Sequence, residues 1–98
     1  MILILIGPAA TGKTTFAKQI QNVIPNAVVF DDMTPTDLEE QAHAIKRAVI
    51  NIGMAIVILD AAKCYRNHDV IQRVRTTVLE WESEFQVSLM ESIRLSVL

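Results

Sequence analysis

Six apolar residues, a glycine, four small residues and then Gly-Lys-Thr-Thr open this chain as MILILIGPAATGKTTFAKQI. An Ile/Leu run as continuous as Met1 to Ile6 suits a strand buried on both faces, the habit of parallel sheets. Thr14 to Val23 carries Phe16, Ile20 and Val23 or Ile24 on one side, which predicts a short helix ended by Pro25-Asn26. A buried strand joined to a helix by a glycine-bounded loop commits the start of the chain to an α/β fold. The rest of the sequence has to supply the other strands.

It does so in alternation. Ala27-Val28-Val29-Phe30 reads as a second strand running into Asp31-Asp32. Thr34 as N-cap, Pro35 at the first helical position and Asp37 at N3 open a helix. Its Leu38, Ala42, Ile45, Val49 and Ile52 form one face, and Gly53 supplies the C-cap. Met54 to Leu59 is a third apolar strand closed by Asp60. Asn67 caps a further helix with Ile71, Val74, Val78 and Trp81 at helical spacing, Trp81 being a core residue by that spacing. Phe85, Val87 and Leu89 alternate with polar residues as a fourth strand. From Ser88 to Leu98 strand alternation and a helix cap both fit. The order β-α-β-α-β-α-β predicts a three-layer α/β/α fold with a mostly parallel four-stranded sheet. Residues 1–98 form a single domain in this reading, with no linker or internal repeat.

A chain this short buries roughly 60–70% of its unfolded surface. Its 51% hydrophobic content therefore favours a sheet covered on both faces, or a partner that buries more. A net charge of -2 offers no bulk attraction for nucleic acid. The first apolar run has no basic flank and stops at Gly7-Pro8, unlike a signal peptide, and no run has the length of a membrane span. The single cysteine, Cys64, forms no internal disulfide and has no His or Cys at metal spacing, so a reducing cytoplasm is the expected compartment.

Gly7 to Thr14 fits G-x-x-x-x-G-K-[ST]. Glycines let Gly7, Ala9, Ala10, Thr11 and Gly12 wrap backbone N–H groups around an anion. The helix start adds unpaired N–H groups and the positive end of its dipole. Lys13 reaches β- and γ-phosphates, the Thr14 hydroxyl ligates Mg²⁺, and Thr15 is placed at the α-phosphate. The expected ligand is a Mg²⁺-bound nucleotide. No guanine-reading Asn/Thr-Lys-x-Asp motif is present, and the base is left open between ATP, favoured, and GTP.

In a parallel sheet the carboxyl ends of the strands share one edge, where ligands collect. Asp60 after its apolar run is a metal ligand or a cap for the next loop. Asp31 or Asp32 is the base that takes a proton from an acceptor hydroxyl, or the pair starts a turn before Thr34. Arg66 is the first choice for a cation facing transferred phosphate, whereas Arg73 and Arg75 fit a solvated helix face. His43 and His68 are isolated and read as ordinary surface histidines.

GPAATGKTTFAKQI, VVFDD and GMAIVILDAAKCYRN together resemble the P-loop NTPases, and among them the kinase-like branch of polynucleotide kinases and zeta-toxin-like kinases. Only the first of these segments is specific to the superfamily. The resemblance implies that Lys13 and Thr14 bind phosphate and metal and that an Asp at 31 or 32 meets the acceptor hydroxyl. Kinases of this branch continue into an arginine-bearing lid, and the chain reaches Leu98 where that lid would begin. The second acid that AAA-type ATPases carry is replaced by Ala61-Ala62. Two expectations result. One is a minimal phosphotransferase or NTPase with an unidentified phosphate acceptor. The other is a non-catalytic nucleotide-binding module, of a kind a compact viral or mobile-element genome encodes. Such a module acts on a protein partner or on a second copy through its C-terminal edge strand.

Overall fold

The computed structural model describes residues 1–8 and 12–91. Its elements run β1 (Ile2–Gly7), α1 (Lys13–Val23), β2 (Val28–Met33), α2 (Pro35–Glu40), α3 (Ala42–Ile52), β3 (Ala55–Asp60), α4 (Ala61–Cys64), α5 (His68–Glu82) and β4 (Val87–Met90). The four strands form one all-parallel sheet in the order β2-β3-β1-β4. This is the three-layer α/β architecture that the alternation of strands and helices predicts. No helix among the described residues is long and apolar enough to cross a membrane.

The period of two along β1 divides the core. Ile2, Ile4 and Ile6 join Val57, Leu59, Leu38, Ile45, Val74 and Trp81 on one face. Leu3 and Leu5 join Ile56, Ile58 and Ala17 on the other. Right-handed crossovers account for the unequal layers. From β1 the chain steps past β3 to β2, so α1 takes one face. It then steps back to β3 and across to β4, so the later helices take the opposite face. β1 is buried along its whole length because helices cover it from both sides.

Four local features differ from the sequence expectation. Strand β2 continues through the acidic pair to Met33, with a register shift between Phe30 and Met33 and Asp32 in the left-handed region at φ 53°. The pair therefore sits in a bulge of an edge strand and not beyond its end. The single helix expected after Thr34 is two helices broken at Gln41. No glycine or proline marks the break. The two segments follow different neighbours, α2 packing on α5 and α3 on β2 and β3. Ile52, expected on the buried face, ends α3 half-exposed. An extra turn, α4, follows β3 directly.

The end signals read from sequence are present. Asp37 N–H donates to Thr34 Oγ1 and Thr34 N–H donates to Asp37 Oδ2, both at 3.0 Å, with Pro35 in the first turn. Gly53 caps α3 at φ 109°, its N–H reaching Val49 O at 2.9 Å. Of the tail with two readings, residues 87–90 are strand, and residues 92–98 lie outside the described residues.

Candidate functional site

Parallel pairing carries three strand ends to one edge. In the β1–β3 register Gly7 stands opposite Asp60, the last residues of their strands. β4 ends beside them, Met90 pairing with Leu5. The loop after β1 thus leaves the sheet between the end of β3 and the end of β4. This is where the strand order turns about β1, and ligands of open α/β sheets collect at such points.

Gly12 leads into α1 at φ 88°, a left-handed conformation that glycine adopts without strain. Helix α1 begins at Lys13 with no side-chain cap and no acid in its first turn, and its first backbone bond is Phe16 N–H to Gly12 O at 2.8 Å. Among the described residues no side chain caps the first-turn N–H groups. Helices α2, α4 and α5 open with side-chain caps from Thr34, Asp60 and Asn67, whereas α3, like α1, has neither a side-chain cap nor an acid in its first turn. Lys13 is buried, and its ammonium donates to the carbonyls of Gly7 and of Pro8, the latter at 3.0 Å. Thr14 and Thr15 are exposed. Ala9, Ala10 and Thr11 lie outside the described residues.

Asp60 is half-exposed, and its Oδ1 accepts from Ala62 N–H at 3.0 Å, capping α4. Both sequence readings of this residue remain compatible, because Oδ2 takes no hydrogen bond among the described residues. No group of three or more His, Cys, Asp or Glu able to hold a metal occurs among the described residues. A cation at this edge has to be completed by ligand oxygens and water, the usual condition of Mg²⁺ beside phosphates.

Asp31 and Asp32 are both exposed, and Asp31 Oδ1 accepts from Asp32 N–H at 2.7 Å. β3 separates their strand from β1, which places them about 10 Å away across two strand spacings. Arg66 is exposed in the turn between α4 and α5. It lines a groove of about 380 Å³ with Lys63, Arg73 and the start of α2.

The edge also holds residues that sequence reasoning passed over. Glu91, just past β4, receives Arg75 Nη2 at 2.7 Å, Arg75 Nε at 3.2 Å and the Tyr65 hydroxyl at 3.0 Å. Arg75 is ion-paired while its side chain stays 40% exposed, and Arg73, more exposed still, meets Glu39 at 2.6 Å. Cys64 is fully buried, its thiol pushed up to about 11 by burial first and by Asp60 and Glu91 next, with Lys13 opposing. It is a neutral packing residue at neutral pH and no nucleophile. His43 is exposed and shares a 3.1 Å contact with Arg47.

The Arg75 guanidinium holds the Glu91 carboxyl below its ordinary 4.5, against burial and with help from Tyr65. A carboxyl depressed by folding stabilises the protein above its unfolded pKa, and that contribution disappears as pH falls through the folded value. Glu91→Gln is thus expected to unfold at lower urea concentration than wild type at about pH 7, the two converging as the pH falls below the ordinary carboxyl range. A gap that keeps its size over that fall would remove the ion pair from this account.

No protein-family model, curated protein or solved structure matches the chain.

Proposed function

We propose that the chain is a Mg²⁺-nucleotide-binding protein of the P-loop type, with ATP favoured over GTP and a kinase-like phosphoryl transfer as its chemistry. One observation carries the reading. After a left-handed Gly12 the helix starts with no side-chain cap among the described residues and no acid in its first turn, and the buried Lys13 ammonium donates to the Gly7 and Pro8 carbonyls at the end of β1. The positive end of the helix dipole beside a buried cation supports binding of a polyphosphate here.

In this reading Lys13 leaves the Gly7 and Pro8 carbonyls for phosphate oxygens. The Thr14 hydroxyl and Asp60, directly or through water, would hold Mg²⁺, which would supply charge neutralisation on the transferred phosphate. Asp31 or Asp32 accepts the proton of an acceptor hydroxyl as its oxygen takes the γ-phosphoryl group, and the nucleoside diphosphate leaves. Lys63 and Arg66 bring positive charge to the acceptor side.

Titration calorimetry of the chain with Mg·ATP and Mg·GTP tests the reading, and saturable binding of at least one is the expected result. Heat no greater than that of buffer with either nucleotide would exclude it. A second reading, a module that binds nucleotide without turnover and pairs with another chain, is favoured by β4. That strand lies at the sheet edge, with no strand beyond it among the described residues. Binding without phosphate release, together with a stable dimer or partner complex, separates the two.

A further inference from the structure

We infer that the groove between α2 and the α4–α5 turn binds the phosphomonoester of a small molecule, the acceptor of the reaction proposed above. The inference rests on that reading for the word acceptor, but the groove's own chemistry carries the ligand class. Three cations, Lys63, Arg66 and Arg73, and one carboxylate, Glu39, line it. Glu39 is already engaged by Arg73 at 2.6 Å. The side chains of Lys63 and Arg66 make no ion pair or hydrogen bond among the described residues. Asp37, whose carboxylate is favoured electrostatically by Lys63, is already held by Thr34 N–H at 3.0 Å. Two cations from adjacent elements thus face one concavity without a direct ion-pair partner among the described residues, Asp37 acting on Lys63 only at longer range, in a chain of net charge -2.

A phosphate dianion satisfies two such cations, whereas a carboxylate monoanion leaves one unmatched. The size of the groove, about 380 Å³, lies in the range of small-molecule sites. Its place agrees with the role. Helix α2 begins directly after the Asp31–Asp32 bulge and α4 directly after Asp60. The groove is thus lined by the start of the helix that follows the proposed base and by residues that follow Asp60 in the chain.

The probe is glycerol 3-phosphate, with glycerol as the neutral control, titrated into the whole chain by calorimetry and amide NMR. Three proteins are compared: wild type, Lys13→Ala, and the double variant Lys63→Gln/Arg66→Gln. Both groove cations are exposed, so the double variant is expected to fold, which the amide spectrum verifies. Glycerol 3-phosphate is expected to bind wild type and Lys13→Ala within about twofold of each other. Its affinity should fall about tenfold or more in the double variant, the fold-change of one lost charge-assisted contact. Glycerol should not bind. Affinity unchanged in the double variant overturns the inference, as does loss confined to Lys13→Ala, which would put the anion in the loop after β1. No binding to wild type overturns it as well. If Mg·ATP fails to bind while the groove pattern holds, the anion site stands and the nucleotide reading alone falls.

Discussion

Lys13→Ala is expected to weaken Mg·ATP binding by about 30-fold to several-thousand-fold, the equivalent of about 2–5 kcal/mol for removing one member of a buried charge pair. The range is wide because the ammonium is not idle without nucleotide. It donates to the Gly7 and Pro8 carbonyls, and those bonds are surrendered when it moves to phosphate. Part of the attraction is therefore offset before any affinity appears. Lys13→Met separates charge from packing, because the methionine keeps most of the apolar stem in the buried site. Both variants should lose nucleotide affinity alike. Nucleotide affinity retained in Lys13→Met would assign the residue to packing beneath the loop and withdraw it from phosphate binding.

How much of this was legible in advance depends on the range of the interaction involved. β1 and β3 are apolar runs buried on both faces, and nothing but a sheet interior suits them, so their type and parallel pairing followed from composition along a few residues. The capping box at Thr34 and the left-handed cap at Gly53 are equally local, and both stand where the residues put them. The break at Gln41 is different. It arises because α2 and α3 lie against different elements, and no residue at the break carries that information. The bulge that keeps Asp31 and Asp32 inside β2 also depends on pairing with β3, which overrides the poor strand propensity of aspartate.

The edge follows the same division. Gly12, Lys13, Thr14 and Asp60 are found by motif and strand end. The Glu91–Arg75–Tyr65 cluster joins residues 16 and 26 positions apart in the chain. Arg75 was legible only as part of a solvated helix face, and Glu91 fell in a tail with two readings. Both are found once β4 is known to end beside β1, since that pairing brings the tail onto the carboxyl edge. The groove cations behave likewise. Lys63 and Arg66 are close in sequence, but their lack of a direct ion-pair partner among the described residues becomes apparent only when Glu39 is seen to be taken by Arg73.

The second large effect is expected at Asp60, where two roles share one side chain. Its Oδ1 caps α4 through Ala62 N–H at 3.0 Å, and its charge is the proposed hold on Mg²⁺. Asparagine keeps the capping oxygen and removes the charge, whereas alanine removes both. If the metal role holds, Asp60→Asn should keep wild-type thermal stability yet lose about 10- to 100-fold of the gain in ATP affinity that Mg²⁺ provides, the scale of disturbed metal-ligand contacts. Asp60→Ala should lose the same Mg²⁺-dependent gain and, in addition, about 1 kcal/mol of stability from the missing cap. The measurement is ATP affinity with Mg²⁺ and with chelator for all three proteins, beside urea unfolding of each. A capping residue without a metal role gives the opposite pattern. Asparagine would then be indistinguishable from wild type in both assays, and alanine would differ only in stability. The same comparison bears on the loop, because Gly7 stands opposite Asp60 in the sheet register. A side chain whose only work is to start α4 has no reason to alter what the neighbouring strand end binds.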